Sequence, residues 1–122
     1  MIEDLIATLF LSREVAHRAH LTVTGTGSFS KHMALGSFYL EIGENADSIA
    51  EAYMGRHGVL GEIPMLGYKP EKDIADCLQS QLDSVEKMRY KCCPKEDTAI
   101  QNLIDESVAT YLSTLYKLRN LK

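Results

Sequence analysis

The sequence predicts an all-α fold, a bundle of four helices, on three observations. Apolar residues recur at three- and four-residue intervals in four separate stretches, glycine and proline punctuate the joints between them, and no stretch alternates as a half-buried strand does. At 122 residues with 45% hydrophobic content, the chain holds enough material for one core and is read as one domain.

The first stretch, from Ile2 to about Thr24, places Ile2, Leu5, Ile6, Leu9, Phe10, Ala16, Ala19 and Val23 at helical spacing. Thr24-Gly25-Thr26-Gly27-Ser28 then combines glycines with hydroxyl residues, which predicts a turn ending on Ser28 as an N-cap. The second helix runs from just after Ser28 to about Arg56 on Met33, Leu35, Phe38, Ile42, Ile49 and Tyr53, a length that suits a bundle.

Between Gly55 and Pro70 lie four glycines and two prolines around Val59, Leu60, Ile63, Met65, Leu66 and Tyr68. That composition breaks helices yet is too apolar for an exposed linker, so a partly covered crossover is expected. Pro70 with Glu71 and Asp73 reads as the first turn of a third helix carrying Ile74, Leu78, Leu82, Val85 and Met88. Pro94, Glu96 and Asp97 repeat the signal before a fourth helix on Ile100, Leu103, Ile104, Val108, Tyr111, Leu112, Leu115 and Leu118. Two short joints and one long middle connection imply that the second and third helices run parallel; an up-down bundle with a loose middle loop is the alternative.

Charge and composition exclude several classes. Seventeen acidic against 13 basic residues give a net charge of -4, which disfavours nucleic acid and anionic membrane. Lys117, Arg119 and Lys122 are too few to reverse that, so DNA is not the expected partner. No apolar run approaches the ~18 residues of a membrane span, and the opening Met1-Ile2-Glu3-Asp4 lacks signal-peptide character, so a cytoplasmic protein is expected. Cys77, Cys92 and Cys93 are odd in number and include an adjacent pair, which suits reduced thiols better than a disulfide or zinc framework.

The candidate chemistry rests on four residues. His20 ends the first helix, His32 begins the second, and Asp47 and Glu51, four apart, project from neighbouring positions further along it. The two histidines face each other across a short turn, yet at 1.5 Å per residue His32 and Asp47 stand roughly 22 Å apart along one helix. One metal reaches both ends only if two copies of the second helix pack antiparallel, about an axis near Leu40. His32, Gly36, Gly43, Asp47 and Met54 fall within roughly 60° of one another, with Glu51 at about 100°. Each mid-helix glycine costs about 1 kcal/mol relative to alanine, a cost that two closely approaching backbones would explain. A homodimer or larger homo-oligomer is therefore expected.

The same residues carry a family resemblance. His20-Leu21-Thr22-Val23-Thr24-Gly25-Thr26-Gly27-Ser28-Phe29-Ser30-Lys31-His32, followed by Asp47-Ser48-Ile49-Ala50-Glu51, resembles the ferroxidase-site signature of Dps-type mini-ferritins. The segments Leu9 to Arg13 and Ala50 to Tyr53 also look similar to short ferritin-like proteins of tailed phages, which would place the chain in a host cytoplasm.

The resemblance implies a ferritin-like four-helix bundle, and His20, His32, Asp47 and Glu51 as ligands of iron across a dimer interface; the second-to-third crossover, Gly55 to Pro70, departs from that family in being too short and broken for the extra helix it places there. Gly36 stands where that family carries a further aspartate, so weak or altered ferroxidase activity is the expectation, with zinc or another divalent ion as the other occupant. The competing class is a non-enzymatic helical oligomer or phage-encoded interaction protein that uses the same seam as a dimer interface. His20 and His32 also admit the plainer reading of helix-end histidines that cap carbonyls or hydrogen-bond across the turn. His17 reads as a solvated face or a spare ligand, Tyr39 as core or a residue beside the site, with the first of each preferred, and His57 as a favourable charge at a helix end.

Overall fold

A computed structural model describes residues 1–68 and 73–122. Four helices follow in order: α1 Ile2–Thr22, α2 Ser28–His57, α3 Ile74–Cys92 and α4 Thr98–Asn120, and no strand occurs among the described residues. Each end has a local cause. Glu3 and Asp4 lie in the first turn of α1, where acids complement the helix dipole. Asp73 and Asp97 cap α3 and α4, their carboxylates accepting from the N–H groups of Ala75 and Ile100.

The α1–α2 joint differs from expectation. Gly27, at φ +80°, takes the N-cap position, and Ser28 is already the first helical residue. The chain turns there in the left-handed region, which glycine enters without a Cβ penalty, so backbone shape outweighs a side-chain cap. The fourth helix starts at Thr98, because Pro94 belongs to a separate turn closed by Asp97 N–H donating to Pro94 O at 3.0 Å. Pro70 and Glu71, read above as the opening of the third helix, lie outside the described residues; the described helix begins at Ile74.

Contacts between ends fix the directions. Cys92 Sγ donates to Met1 O at 3.0 Å, so α3 runs against α1, and Arg56 pairs with Asp97 at 2.9 Å, so α4 runs against α2. Around the square the neighbours are α1–α2, α2–α4, α4–α3 and α3–α1, which leaves α2 and α3 parallel on one diagonal. The middle connection therefore travels the length of the bundle. It is fixed near its start by Gly61 N–H donating to Glu3 Oε2 at 2.8 Å, then passes along α1 with Leu60 and Ile63 packed against the core.

The core is continuous across all four helices and includes Leu5, Leu9, Phe38, Ile42, Leu78, Val85, Ile104 and Tyr111. Its centre is polar as well. Tyr111 OH donates to Ser12 Oγ, which donates in turn to Gln81 Oε1, joining α4, α1 and α3. Ser12 has one proton to give and the Gln81 carbonyl oxygen only accepts, so the order of donors is fixed by chemistry. Burial pushes the Tyr111 hydroxyl well above its ordinary pKa.

Candidate metal centre

The structure brings two of the four candidate residues together. His20 and His32 stack with ring centroids 3.8 Å apart and planes 17° from parallel. Each ring binds the other residue's backbone: His20 Nδ1 donates to His32 O and His32 Nδ1 donates to His20 O, both at 2.7 Å. A carbonyl can only accept, so both Nδ1 atoms carry protons, and the lone pair of each neutral ring sits on Nε2. A carbonyl partner on one ring nitrogen is the usual way a protein fixes the tautomer of a metal-binding histidine. Both rings are half-buried at the α1–α2 end of the bundle.

Two further rings complete the cluster. Tyr39, half-buried and packed against the core, stacks on the exposed His17 with centroids 4.1 Å apart and planes 6° from parallel, and its ring lies 5.4 Å from His20. The preferred sequence readings, Tyr39 in the core and His17 in solvent, each hold in part, and the alternative that Tyr39 stands near the site holds as well; the stack of the two rings is the feature the sequence does not give. The available signal was spacing, because Tyr39 lies seven residues after His32 and therefore two turns along the same side of α2. His57 is in the last turn of α2 as expected, its ring 4.5 Å from that of Tyr53.

Asp47 and Glu51 are exposed on α2, with no hydrogen bond or ion pair among the described residues. One chain does not gather them around the histidines: among the described residues no group of three His, Cys, Asp or Glu side chains converges on one point. A single copy thus offers two tautomerically fixed imidazoles at one end and an unpartnered acid pair further along. The donor set suits a borderline divalent cation, and the buried polar side-chain atoms of the described residues are all otherwise satisfied.

The mid-helix glycines have a different role from the one first inferred. A Cβ on Gly36 would come within 3.0 Å of His20 Cε1 and 3.2 Å of Nδ1, and one on Gly43 within 3.1 Å of Arg13 Cδ. The close approach they permit is that of α1 side chains from the same chain. At 100° per residue, His32, Gly36 and Gly43 fall on the edge of the seam toward α1, while Phe29, Met33, Leu40, Asp47 and Glu51 share its outer edge within about 40°. Phe29, Met33 and Leu40 are 76%, 55% and 61% exposed.

The fold and its cluster define a four-helix bundle with a paired-histidine closure and a mixed apolar and acidic outer face on α2. The chain belongs to DUF5856, a family of unknown function, matched over residues 20–118. That span contains all four candidate residues. No curated protein and no solved structure gives a significant match. No described helix is long and apolar enough to cross a membrane.

Proposed function

We propose that this protein is a ferritin-like, Dps-like bundle that binds iron or another divalent cation between two copies of the chain in the cytoplasm. His20 and His32 of one copy and Asp47 and Glu51 of the other would hold it. The observation that carries the reading is the reciprocal pair of 2.7 Å bonds, which commits both Nδ1 atoms to backbone carbonyls and leaves Nε2 as the nitrogen through which either ring could bind a cation. The long connection between parallel α2 and α3, the connectivity of ferritin-like bundles, supports the class. In an antiparallel copy centred on Leu40, Asp47 falls opposite Met33, one residue from His32.

A bound ferrous ion would supply one-electron reducing chemistry toward an oxidant. The chain's own contribution is to hold the imidazoles in one tautomer and bring carboxylate charge to them. Gly36 supplies no further carboxylate, and the His20 ring fills the space where one would start. Weak turnover follows, with zinc the natural structural substitute.

A second reading has its own support. The exposed Phe29, Met33 and Leu40 are enough apolar surface to make the outer face of α2 an interface without metal, in a non-enzymatic oligomer or interaction protein. Calorimetry with Zn(II), and with Fe(II) under anaerobic conditions, combined with light scattering, separates the two. The metal reading expects a saturable site in a dimer, weakened at least tenfold by His32→Ala and by Asp47→Asn. Uptake that ignores both substitutions sinks it, and a dimer that persists without uptake leaves the interface reading standing.

A further inference from the structure

The side of α1 that faces away from the core is also lined with apolar groups. Ala7, Leu11, Glu14 and Arg18 lie within about 40° of one direction, about 180° from the stripe of Leu5, Leu9 and Ala16. Ala7 is only 1% exposed although it points away from the core, and Ile63 and Pro64 of the crossover stand over that face. Between α1 and residues 63–68 a groove of about 630 Å³ remains. Its volume falls within the roughly 300–1,000 Å³ of small-molecule sites.

The groove is polarised along its length. Toward Ala7 it is walled by Phe10, Leu11, Ile63 and Pro64, and toward the other end stand Arg13, Glu14 and Arg18. From Ala7 to Arg18 the helix rises ~16 Å. Arg18 is paired with Glu14 at 2.8 Å, while Arg13 holds its guanidinium 5.0 Å from the Phe10 ring centre and has no carboxylate partner among the described residues. Two guanidiniums against one carboxylate leave one positive charge at the mouth of an apolar channel. On the crossover, Met65 is 100% exposed and Leu66 and Tyr68 are 43% and 40% exposed, so the strap carries apolar surface that the bundle does not cover. Its only hydrogen bond over residues 59–68, among the described residues, is that of Gly61 to Glu3, which leaves the stretch beside the groove free to close on a guest.

We propose that this groove binds an apolar monoanion, an extended alkyl chain ending in a carboxylate, with the tail between α1 and the strap and the head at Arg13 and Arg18. The charge and the one-sided polarity select this occupant over a neutral lipid or a second copy of the chain. The tail site lies on the far side of α1 from the stacked histidines, Arg13 reaches it from the edge where it also packs over Gly43, and the proposal does not depend on the metal reading.

Calorimetry on the full chain with dodecanoate below its micellar concentration tests it, with dodecanol and dodecyltrimethylammonium as comparison probes. One equivalent of dodecanoate should bind, at least tenfold more tightly than either comparison. Arg13→Gln with Arg18→Gln should lower its affinity at least tenfold while the unliganded variant keeps its helical content and cooperative unfolding, since both side chains are exposed. Equal binding of the three probes, no saturable binding, or an undiminished affinity in the double variant overturns the proposal. So does binding that appears only as a shift in oligomeric state, which would make a second copy the occupant.

Discussion

Gly36→Ala tests whether the tight packing of His20 governs the α1–α2 end of the bundle. An alanine in mid-helix ordinarily gains about 1 kcal/mol over glycine. Here the new methyl would stand 3.0 Å and 3.2 Å from two atoms of the His20 ring, where carbon contacts prefer roughly 3.5–4.0 Å. The ring has little room to yield, because its Nδ1 bond and its stack on His32 both fix its position. Overpacking of this kind costs about 1–3 kcal/mol, and loosening the reciprocal bonds adds about 0.5–1.5 kcal/mol for each one lost. Net destabilisation of about 1–2 kcal/mol remains, or a melting temperature roughly 4–8 °C lower for a chain of this size. Gly55→Ala is the control, because a Cβ there meets nothing within 4 Å. It should raise the melting temperature by a few degrees, as should Gly36→Ala placed in a His20→Ala background. Thermal denaturation followed by circular dichroism measures all three. If Gly36→Ala in the otherwise unaltered protein stabilises as much as Gly55→Ala, the packing argument is refuted.

Other substitutions probe the remaining joints. Ser12→Ala removes the acceptor of the buried Tyr111 hydroxyl and the donor to Gln81, so a loss of about 1–3 kcal/mol is expected in urea unfolding; a change within error would show that the three-helix polar joint is dispensable. The Tyr111, Cys92 and Cys93 groups all have folded-state pKa values raised by burial, so the unfolded state loses these protons at lower pH than the native state does. Their contribution is complete below about pH 8.5 and fades as pH rises through the unfolded thiol and phenol ranges; a Tyr111→Phe variant should lose less stability than the unaltered chain between pH 9 and 11. Glu3 has the opposite sign: its own N–H and that of Gly61 lower its pKa, so its contribution is present near neutrality and fades as pH falls below the ordinary carboxylate range. Glu3→Gln should flatten that acid limb, and protease cleavage in the crossover should become faster at neutral pH. Asp73→Ala should cost about 1 kcal/mol through the lost cap on Ala75 N–H, with amide exchange faster in the first turn of α3.

Much of the architecture is legible in the sequence because apolar spacing marks each helix and, for α3 and α4, acidic residues near the start agree with it. The apolar spacing of Ile74, Leu78, Leu82 and Val85 marks a buried face, and the acids before it mark a helix start nearby, although Asp73, read as part of the first turn, is the cap of the described helix. The parallel arrangement of α2 and α3 follows from an apolar connection too long for a hairpin. Ser28 misleads because its side-chain propensity competes with the left-handed backbone at Gly27, which no composition rule weighs. Gly36 and Gly43 mislead differently: sequence shows that something fills the space above a helical glycine without showing whose side chain it is, and here it is His20 and Arg13. The pairing of His20 with His32 is readable because a short turn leaves few alternatives. Bonds from helix-end histidines to carbonyls across that turn are also readable, and the structure shows them; that each ring takes the other residue's carbonyl is not, since that depends on ring orientation.

The strap over α1 also bears on how the molecule assembles. The chain divides into two helical hairpins, α1–α2 and α3–α4, each closed by local contacts that form with little loop entropy. They meet through α1 against α3 and α2 against α4, with Ser12, Gln81 and Tyr111 at the junction. For that meeting the strap acts as a tether, which turns an encounter between two half-proteins into an intramolecular one at high effective concentration. Cutting the chain within 63–68 should therefore leave two hairpins that reassociate, with a folding midpoint that rises with protein concentration.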